Sequence, residues 1–485
     1  MNLIVCHCNK NGIGRSNNIP WKLSDDLKHF KIITTSTNIV DVKNIVIMGR
    51  NTWESIPNNY RPLKDRYNFV ISSKNKFDDS DKVDFIASSL ESCMEYINSE
   101  TSMFKNSKTF IIGGEMLYKY TLDNYSSMIN KIYVTELYIS VTCDKFFPAI
   151  DKNRFSISKV SNFKKENNMY YRYFVYVNND LNDDLNSIIY VNNEELNYKN
   201  LVKNILDNGC IRKDRTNVGT MSVFAQPSMS FDLTDTFPLL TLKKGFLRAI
   251  FEELMLYIRG QTDNNILKEK NIHIWDGNTT REFLDSRGLT QLPEGDMGET
   301  YGFNMRHYGG TYVDCKTKYG KKNGFDQLDY VIDLIKNDPH SRRILINLWN
   351  PKTSCNAALP SCLHQYQFYV NTEKKTLSVQ IYLRSSDVFL ANNWNVCTGA
   401  LFIHLLCNLE DIDLKPGFIT MVCGDAHIYK NHIEQAKIMI NRQSYPYSKL
   451  VVLNKKKNIE DFSYEDIKLI GYKAHPNDIK VAMAV

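Results

Sequence analysis

The sequence predicts two globular domains: an α/β domain in the first part of the chain, then a domain that mixes strands with helices. A length of 485 residues suggests two or three domains, each large enough for its own core. Apolar strands in the first part run into glycine turns that open helices, as in residues 44–57 and 109–118. The polar, acidic residues 178–186 that follow are typical of a solvated linker.

The composition is that of a soluble globular protein. Hydrophobic residues make up 43% of the chain and charged residues 24%, which argues against a disordered or membrane-embedded chain. The net charge of +6, from 60 basic and 54 acidic residues, is too small to indicate a nucleic-acid partner, and we expect none.

Cysteine usage and the N-terminus both indicate a cytoplasmic protein. The 11 cysteines include no C-x-x-C pair, as expected of a reduced, intracellular chain without a disulfide framework. The apolar start of the chain is too short for a signal peptide and lacks its basic residues. No apolar run is long enough to span a bilayer, so we expect no membrane association.

A first helix is expected within residues 20–31, with Ser24 placed to cap its N-terminus. Asp26 shares a face of this helix with Phe30, and a carboxylate on an aromatic face is costly to bury without a partner. Two interpretations of Asp26 stay open. It complements the helix dipole, or it accepts two parallel hydrogen bonds from an aminopyrimidine edge.

Three strand ends in the first part carry residues suited to an anionic phosphate. Backbone amides at a helix start bind phosphate, and paired glycines let the backbone approach it closely. A glycine pair alone is weak evidence, because most such pairs form ordinary turns. The residues at these strand ends are Gly49, Arg50, Asn51, Thr52, Ser72, Ser73, Gly113 and Gly114.

Residues 1–178 resemble the dihydrofolate reductase family in an ordered set of motifs. These are Ile19-Pro20-Trp21, Asp26, Met48-Gly49-Arg50, Arg61-Pro62-Leu63, Ser72-Ser73, Ile112-Gly113-Gly114 and Tyr133-Val134-Thr135-Glu136. The resemblance implies a central, mostly parallel sheet flanked by helices, and the NADPH-dependent reduction of dihydrofolate to tetrahydrofolate. The residues at the three strand ends would then bind NADPH.

The same resemblance implies the residues of a folate site. Asp26 would orient the pterin ring and support protonation of its N5 atom, with Thr135 hydrogen-bonded nearby. Arg66 matches the arginine that holds the glutamate carboxylate of folate, a role that suits a bidentate guanidinium. The pterin pocket would be lined by Ile4, Cys6, Phe30, Ile56 and Tyr118.

The second part contains a candidate nucleophile, Cys362, placed between a proline and an alternating strand at 367–370. A single cysteine of this kind is more often an inert, buried residue. A second segment supplies Arg384, and an arginine beside a thiol favours the thiolate, the form that acts as nucleophile.

Residues 195–485 resemble the thymidylate synthase family, which leaves 179–194 as the linker. The motifs are Ser341-Arg342-Arg343, Leu348-Trp349-Asn350-Pro351, Cys362, Arg384-Ser385-Ser386-Asp387, Asn395 and Gly424-Asp425-Ala426-His427-Ile428-Tyr429. The resemblance implies an α+β domain in which Cys362 adds to dUMP and 5,10-methylenetetrahydrofolate, the cosubstrate, supplies the methyl carbon of dTMP. It implies no metal, and His427 and His432 do not share a helical face as a zinc pair would.

The family pattern also implies roles for single residues. Arg342 and Arg343 are donated by the other subunit in this family, so the chain would be a homodimer through its second domain. Glu253 would relay protons to the pyrimidine carbonyl, whereas its neighbour Glu252 is expected to be a surface charge. Tyr301 would lie near the catalytic cysteine. Folate contacts would come from Asp387, Trp394 and the terminal carboxylate of Val485. The remaining nucleotide contacts would come from Arg215, Arg384, Ser385, Asn395, His427 and Tyr429.

Four departures from the family pattern lie near Cys362, at Leu363, Leu383, Ala391 and Asn393. Two alternatives stay open, and these departures bear on the second of them. One is a deoxycytidylate hydroxymethylase, which shares the cysteine and arginine framework. The other is an inactive domain kept as a dimerisation or RNA-binding module, against which the intact chemical groups argue.

Overall fold

The computed structural model describes residues 1–37, 39–99, 103–104, 106–181, 189–214 and 218–479. Contacts within the chain divide it into two compact units, Met1–Tyr190 and Val191–Val485. Within the described ranges, no helix is both long and apolar enough to cross a membrane.

The first unit is built on one sheet with helices packed against it. Its strands are β1 (Asn2–His7), β2 (Gly12–Gly14), β3 (Asn44–Gly49), β4 (Arg66–Ile71), β5 (Phe85–Ala87), β6 (Thr109–Gly113), β7 (Lys131–Leu137), β8 (Lys145–Phe146), β9 (Phe155–Val160), β10 (Lys164–Glu166) and β11 (Met169–Asn178). Its helices are α1 (Ser24–Thr35), α2 (Arg50–Ser55), α3 (Leu90–Asn98) and α4 (Glu115–Tyr125).

The main sheet of this unit has the strand order β10-β11-β7-β1-β6-β3-β4-β5, with β9 paired to β11. The strands from β7 to β5 in this order pair in parallel, and β11 joins β7 in antiparallel fashion. Val46, Ile47 and Met48 of β3 are fully buried, as expected of a parallel strand that is covered on both faces. The predicted α/β class with a mostly parallel sheet is confirmed.

This topology gathers the functional candidates at one edge of the sheet. Cys6, Gly49, Gly113 and Thr135 lie at or near the carboxyl ends of β1, β3, β6 and β7. Ligands of open α/β sheets bind outside the carboxyl ends of the strands. The edge is therefore where a ligand site is expected.

The predicted N-cap of the first helix is wrong. Ser24 is already the first residue of α1, and Leu23, which precedes it, has no side chain able to cap. A carboxylate from β10 replaces the missing cap, because Glu166 accepts hydrogen bonds from the backbone amides of Ser24 at 2.9 Å and Asp25 at 3.0 Å.

The second unit contains a larger mixed sheet and more helices. Its strands are β12 (Cys210–Arg212), β13 (Thr220–Phe224), β14 (Met229–Asp232), β15 (Leu345–Asn347), β16 (Leu363–Asn371), β17 (Thr376–Asp387), β18 (Lys415–Tyr429), β19 (Lys449–Val452) and β20 (Ile467–Ile470). Its helices are α5 (Asn193–Asn208), α6 (Leu247–Ile258), α7 (Asn265–Glu269), α8 (Arg281–Ser286), α9 (Tyr301–Arg306), α10 (Gln327–Asn337), α11 (Asn392–Leu406) and α12 (Ile433–Ile440).

The main sheet runs β12-β13-β18-β17-β16-β15, with β14 also paired to β18, while β19 and β20 pair separately. Only the pairing of β17 with β18 is parallel among the described strands of this sheet. Helices α6 and α11 are buried along most of their length. This mixture of sheet and helices confirms the predicted second fold class.

Burial of α6 also overturns the expectation for Glu252. Its side chain is not a surface charge, because the residue is only 9% exposed and its Oε2 accepts a hydrogen bond from Lys270 Nζ at 2.5 Å. Helix α6 is covered around most of its circumference, so both neighbouring glutamates are inside and each needs a partner.

Candidate active sites

In the first unit, Asp26 lies in the first turn of α1 and faces the carboxyl ends of β1 and β7. Thr135 donates a hydrogen bond from Oγ1 to Oδ1 of Asp26 at 2.5 Å. Burial raises the pKa of Asp26, and the hydrogen bonds from Thr135 and Cys6 oppose that rise. The group is thus an acid that keeps its proton at higher pH than a free aspartate does.

The predicted pterin-pocket residues come together around this carboxyl group. Ile4, Phe30 and Ile56 belong to one apolar cluster on the α1 side of the sheet. Tyr118 donates a hydrogen bond to the carbonyl oxygen of Ile4 at 2.7 Å. Burial raises the pKa of Cys6, so this side chain stays a neutral thiol beside Asp26.

Arg66 is buried at the start of β4, close to the same pocket. Its Nη1 donates to Oγ1 of Thr34 at 2.8 Å and its Nε to the carbonyl oxygen of Lys64 at 3.0 Å. The guanidinium also lies 5.6 Å from the ring centre of Phe30. These contacts fix the orientation of the cation beside the apolar cluster.

The predicted phosphate residues form a glycine-lined cradle at the carboxyl ends of β3 and β6. A Cβ atom at Gly114 would lie 3.2 Å from Oγ1 of Thr52, and Gly113 has a φ of +130°, which side-chain-bearing residues rarely adopt. A Cβ atom at Gly49 would meet nothing within 4 Å, so the backbone there is open to a ligand. The cradle fits the close backbone approach that a nucleotide phosphate requires.

Two of the predicted cofactor residues are already occupied within the protein. Ser72 donates to the carbonyl oxygen of Lys74 at 2.8 Å and accepts from its amide at 2.9 Å. Arg50 lies 3.8 Å from Glu54 in an ion pair. Ser73 and Asn51 are exposed at the same edge.

In the second unit, Cys362 lies immediately before β16 with Arg384 beside it. Nη2 of Arg384 is 3.9 Å from Sγ of Cys362. The guanidinium is fixed by hydrogen bonds to the carbonyl oxygens of Ser361 at 2.8 Å and Pro360 at 2.9 Å, and it lies 5.0 Å from the ring centre of Trp349. A cation held next to the thiol favours the thiolate.

A network of buried rings connects Cys362 to Glu253. The Cys362 amide donates to the hydroxyl of Tyr301 at 2.8 Å, and the Tyr301 ring stacks on Tyr257 with centres 4.8 Å apart. Glu253 accepts hydrogen bonds from the indole nitrogens of Trp275 at 2.8 Å and Trp394 at 2.6 Å. Burial raises the pKa of Glu253, so this carboxyl group keeps its proton at higher pH than a free glutamate does.

Sequence reasoning missed the roles of Trp275 and Tyr257 in this network. A signal for Trp275 was available, because a buried indole N–H needs an acceptor. Tyr257 carried no such signal, since one helical turn after Glu253 it resembles any other core aromatic.

The parallel pairing of β17 and β18 brings the remaining candidates together. In its register Ser385 lies opposite Asp425 and Asp387 lies opposite His427. Asp387 accepts hydrogen bonds from the amides of Phe389 at 3.0 Å and Leu390 at 3.1 Å, and burial raises its pKa. Tyr429 packs its ring edge-on against His427.

Asp425 is a further residue that sequence reasoning left without a role. Its Oδ1 lies 2.9 Å from Nδ1 of His427, and its Oδ2 accepts from Arg212 at 2.7 Å. The carboxylate therefore fixes the ring orientation of His427 through Nδ1.

The segment from Ala391 to Asn395 begins α11 with two amide side chains in different surroundings. Asn395 donates to the carbonyl oxygen of Ala391 at 2.9 Å. Asn393, one of the departures from the family pattern, accepts from the amide of Leu240 at 3.1 Å and donates to the carbonyl oxygen of Pro238 at 2.8 Å. The departure thus ties α11 to residues 238–240. Leu363 and Leu383 are buried in the core.

The structure does not bring every predicted residue to Cys362. Arg342 and Arg343 are exposed, and neither guanidinium forms an ion pair within the described part of the chain. Arg342 borders a depression on the outer face of the sheet, together with Tyr369, Gln380 and Phe418. Arg215 and Val485 lie outside the described residues.

No group of three or more His, Cys, Asp or Glu side chains in the described ranges could hold a metal ion. A glycine cradle with a hydrogen-bonded carboxyl group in the first unit, and a thiol beside a fixed arginine in the second, fit a two-domain enzyme that joins an oxidoreductase to a transferase. Residues 1–179 match the dihydrofolate reductase family, and residues 196–485 match the thymidylate synthase family.

Full-length relatives carry both domains in one chain. A putative bifunctional dihydrofolate reductase-thymidylate synthase of Oryza sativa subsp. japonica is 39% identical over 98% of this chain and 100% of its own length. Bifunctional dihydrofolate reductase-thymidylate synthases of Zea mays and Paramecium tetraurelia are each 38% identical, covering 100% and 98% of this chain and 96% of their own lengths. The chain belongs to the family of bifunctional dihydrofolate reductase–thymidylate synthases.

The chain is accordingly an oxidoreductase and a methyltransferase of thymidylate biosynthesis and folate recycling. It methylates dUMP reductively to dTMP and reduces dihydrofolate to tetrahydrofolate. Neither a deoxycytidylate hydroxymethylase nor an inactive binding module is favoured by these relationships.

Proposed function

We propose that Cys362 is the nucleophile of the synthase reaction and that Arg384 holds it as a thiolate. The observation that carries the proposal is the 3.9 Å approach of the Arg384 guanidinium to the Cys362 sulfur, with two backbone carbonyls fixing the cation. The thiolate adds to C6 of dUMP and makes C5 nucleophilic toward the methylene carbon of 5,10-methylenetetrahydrofolate. Hydride from the folate then completes the methyl group and releases dTMP and dihydrofolate.

The nucleotide is held by groups that meet at the ends of β17 and β18. Arg384 and Ser385 bind the phosphate with Arg215, while His427 and Tyr429 contact the nucleotide beside them. The amide of Asn395 can donate to O4 and accept from N3–H, a pattern that matches uracil and not cytosine. Asp387, Trp394 and the terminal carboxylate of Val485 contact the folate.

Glu253 relays protons to the pyrimidine carbonyl in this proposal. Burial raises the pKa of this carboxyl group, which lets it act as a proton donor, and the indoles of Trp275 and Trp394 fix its direction. Tyr301 connects this carboxyl environment to the backbone of Cys362.

In the first unit, Asp26 orients the pterin of dihydrofolate and supports protonation of N5. Ile4, Cys6, Phe30, Ile56 and Tyr118 line the pocket, Thr135 fixes the carboxyl, and Arg66 binds the glutamate carboxylate. When bound, NADPH supplies the hydride. Its phosphates would lie against the cradle of Gly49, Arg50, Asn51, Thr52, Gly113 and Gly114, with Ser72 and Ser73 at the edge.

We also propose a homodimer through the second unit, in which Arg342 and Arg343 of each copy bind the phosphate held by the other. Both arginines are exposed and form no ion pair in the described part of the chain, and Arg342 lies beside Tyr369 and Phe418, which supports this proposal. Tyr369 is 63% and Phe418 49% exposed, so this face offers apolar area that a second copy can cover.

The proposed setting is the cytoplasm, where thiols stay reduced. The 11 cysteines, all of them in described parts of the chain, form no disulfide.

The proposed domain boundaries are 1–178 and 195–485, and neither mechanism calls for a metal.

The experiment that tests the nucleophile follows both reactions on one purified protein. The first assay supplies dUMP with methylenetetrahydrofolate, and the second supplies dihydrofolate with NADPH. Cys362→Ala should abolish dTMP formation and leave NADPH oxidation nearly intact, because the two sites lie in different units. A variant that keeps substantial dTMP formation would rule out Cys362 as the nucleophile.

A further inference from the structure

The first turn of α1 is held by a carboxylate that lies 142 positions away in the sequence. Glu166, in the hairpin of β10 and β11, accepts from the backbone amides of Ser24 and Asp25 and from the hydroxyl of Ser24. The next residue along the helix is Asp26. An acceptor at a helix start satisfies amide groups that have no partner inside the helix.

The same hairpin holds this turn at two more points. The hydroxyl of Tyr171 donates to Oδ2 of Asp25 at 3.0 Å, and the hydroxyl of Tyr173 donates to the carbonyl oxygen of Asp25 at 3.2 Å. The ring of Tyr173 also stacks on His29, with centres 3.8 Å apart. The backbone that leads into Asp26 is therefore held by β10 and β11, and the His29 ring on the next turn packs against the same hairpin.

We propose that Glu166 is a positioning residue of the reductase, which fixes the turn that carries Asp26 and keeps a negative charge beside that carboxyl group. The inference rests on the role proposed above for Asp26 as the group that supports protonation of N5. It adds a residue that touches neither dihydrofolate nor NADPH in that proposal.

The charge of Glu166 distinguishes it from the other groups near Asp26. The ionisable groups that face Asp26 are Cys6 on β1, Tyr118 on α4, Tyr173 on β11 and Glu166 on β10, and burial raises the pKa of the first three, which stay neutral. The Ser24 hydroxyl and the two amides lower the pKa of Glu166, which stays charged.

This charge acts on Asp26 in a definite direction. Burial is the main cause of the raised pKa of Asp26, and the charge of Glu166 raises it further. Lys28 lies beside Asp25, at 3.4 Å, and its charge bears on Glu166. Removing the negative charge should therefore let Asp26 lose its proton at lower pH.

The test measures kcat/KM for dihydrofolate against pH in the full-length protein. Glu166→Gln keeps an acceptor oxygen but removes the charge, and it should move the alkaline fall of the profile to lower pH. Glu166→Asp keeps the charge and should leave that fall near its wild-type position. Glu166→Ala also removes the acceptor and should lower kcat roughly 10-fold, as expected for a small displacement of a catalytic group.

A matched control comes from another hydrogen-bonded carboxylate of the same unit. Glu91 on α3 accepts from the hydroxyls of Tyr120 and Tyr125 on α4 and lies outside the proposed site, so Glu91→Gln should leave the profile unchanged. An unchanged KM for NADPH would show that the Glu166 variants are folded.

Two results separate the possible failures. If Glu166→Gln lowers the rate without moving the profile, or if Glu166→Asp moves it equally, Glu166 acts as a helix cap alone and the inference is overturned. If Asp26→Asn itself keeps near wild-type reduction, the proposed role of Asp26 fails and the inference falls with it.

Discussion

Asp26 and Glu253, the carboxyl groups proposed to transfer protons, are both hydrogen-bonded in their own units. Burial raises the pKa of both, but their partners differ. Asp26 accepts from the hydroxyl of Thr135, whereas Glu253 accepts from two indoles that cannot accept in return. These hydrogen bonds therefore fix the orientation of each carboxyl group in its unit.

Replacing Asp26 by asparagine removes the acid but keeps the shape. Asp26→Asn should lower dihydrofolate turnover by roughly 100-fold or more, as for the loss of an acid–base group. In the unmodified enzyme, turnover should fall as pH rises through the pKa of Asp26, which burial has raised, because the proton is then lost. Steady-state NADPH oxidation across pH measures both effects, and turnover near wild type would contradict the assignment.

At the scale of elements, the strand–glycine–helix units could be predicted from the sequence because their signals are local. Runs such as 44–57 contain the strand, the turn and the helix start within a few residues, so the cradle at Gly49 and Gly113 was predictable. The α+β class of the second unit and the place of Cys362 just before a strand followed from the family resemblance and the local sequence pattern.

Contacts between distant segments could not be predicted in this way. Glu166 replaces Ser24 as the cap of α1 from 142 positions away, and no local pattern connects the two. Trp275 and Trp394 converge on Glu253 from different segments, and Glu252 is buried because α6 is covered on nearly every side. These outcomes depend on tertiary packing, which overrides the amphipathic pattern of a single helix.

The turn between β6 and α4 gives a prediction at this scale. Gly113 has a φ of +130°, so Gly113→Ala forces a side chain into a conformation it rarely adopts. We expect the KM for NADPH to rise about 10-fold from a local strain of about 1–3 kcal/mol, with dTMP formation unchanged on the same protein. Initial rates at varied NADPH concentration measure this, and an unaltered KM would show that the cradle tolerates a Cβ atom.

At the scale of the whole molecule, the two activities differ in what they require. The proposed reductase residues all lie in the first unit, whereas the proposed phosphate clamp needs Arg342 and Arg343 from a second copy. A phosphate dianion at such an interface depends on several cations at once, and the loss of one is costly.

Mixed dimers test this division of the synthase site. Cys362→Ala and Arg343→Glu homodimers should each be nearly inactive as synthases. After subunit exchange, each heterodimer carries both lesions in one site and none in the other, so the mixture should approach about a quarter of wild-type activity. Heterodimers that form, as native mass spectrometry can verify, but restore no activity would show that the clamp is not shared.

In the proposed dimer, the sharing of Arg342 and Arg343 between two copies also makes synthase activity depend on protein concentration. By mass action, diluting the protein below the dissociation constant of the dimer removes synthase sites, while every separated chain keeps its reductase site. The ratio of the rate of dTMP formation to the rate of NADPH oxidation then reports the fraction of the protein that is dimeric, without a fluorescent or isotopic label. In a cell with little of this protein, tetrahydrofolate regeneration would persist at levels too low to sustain thymidylate supply.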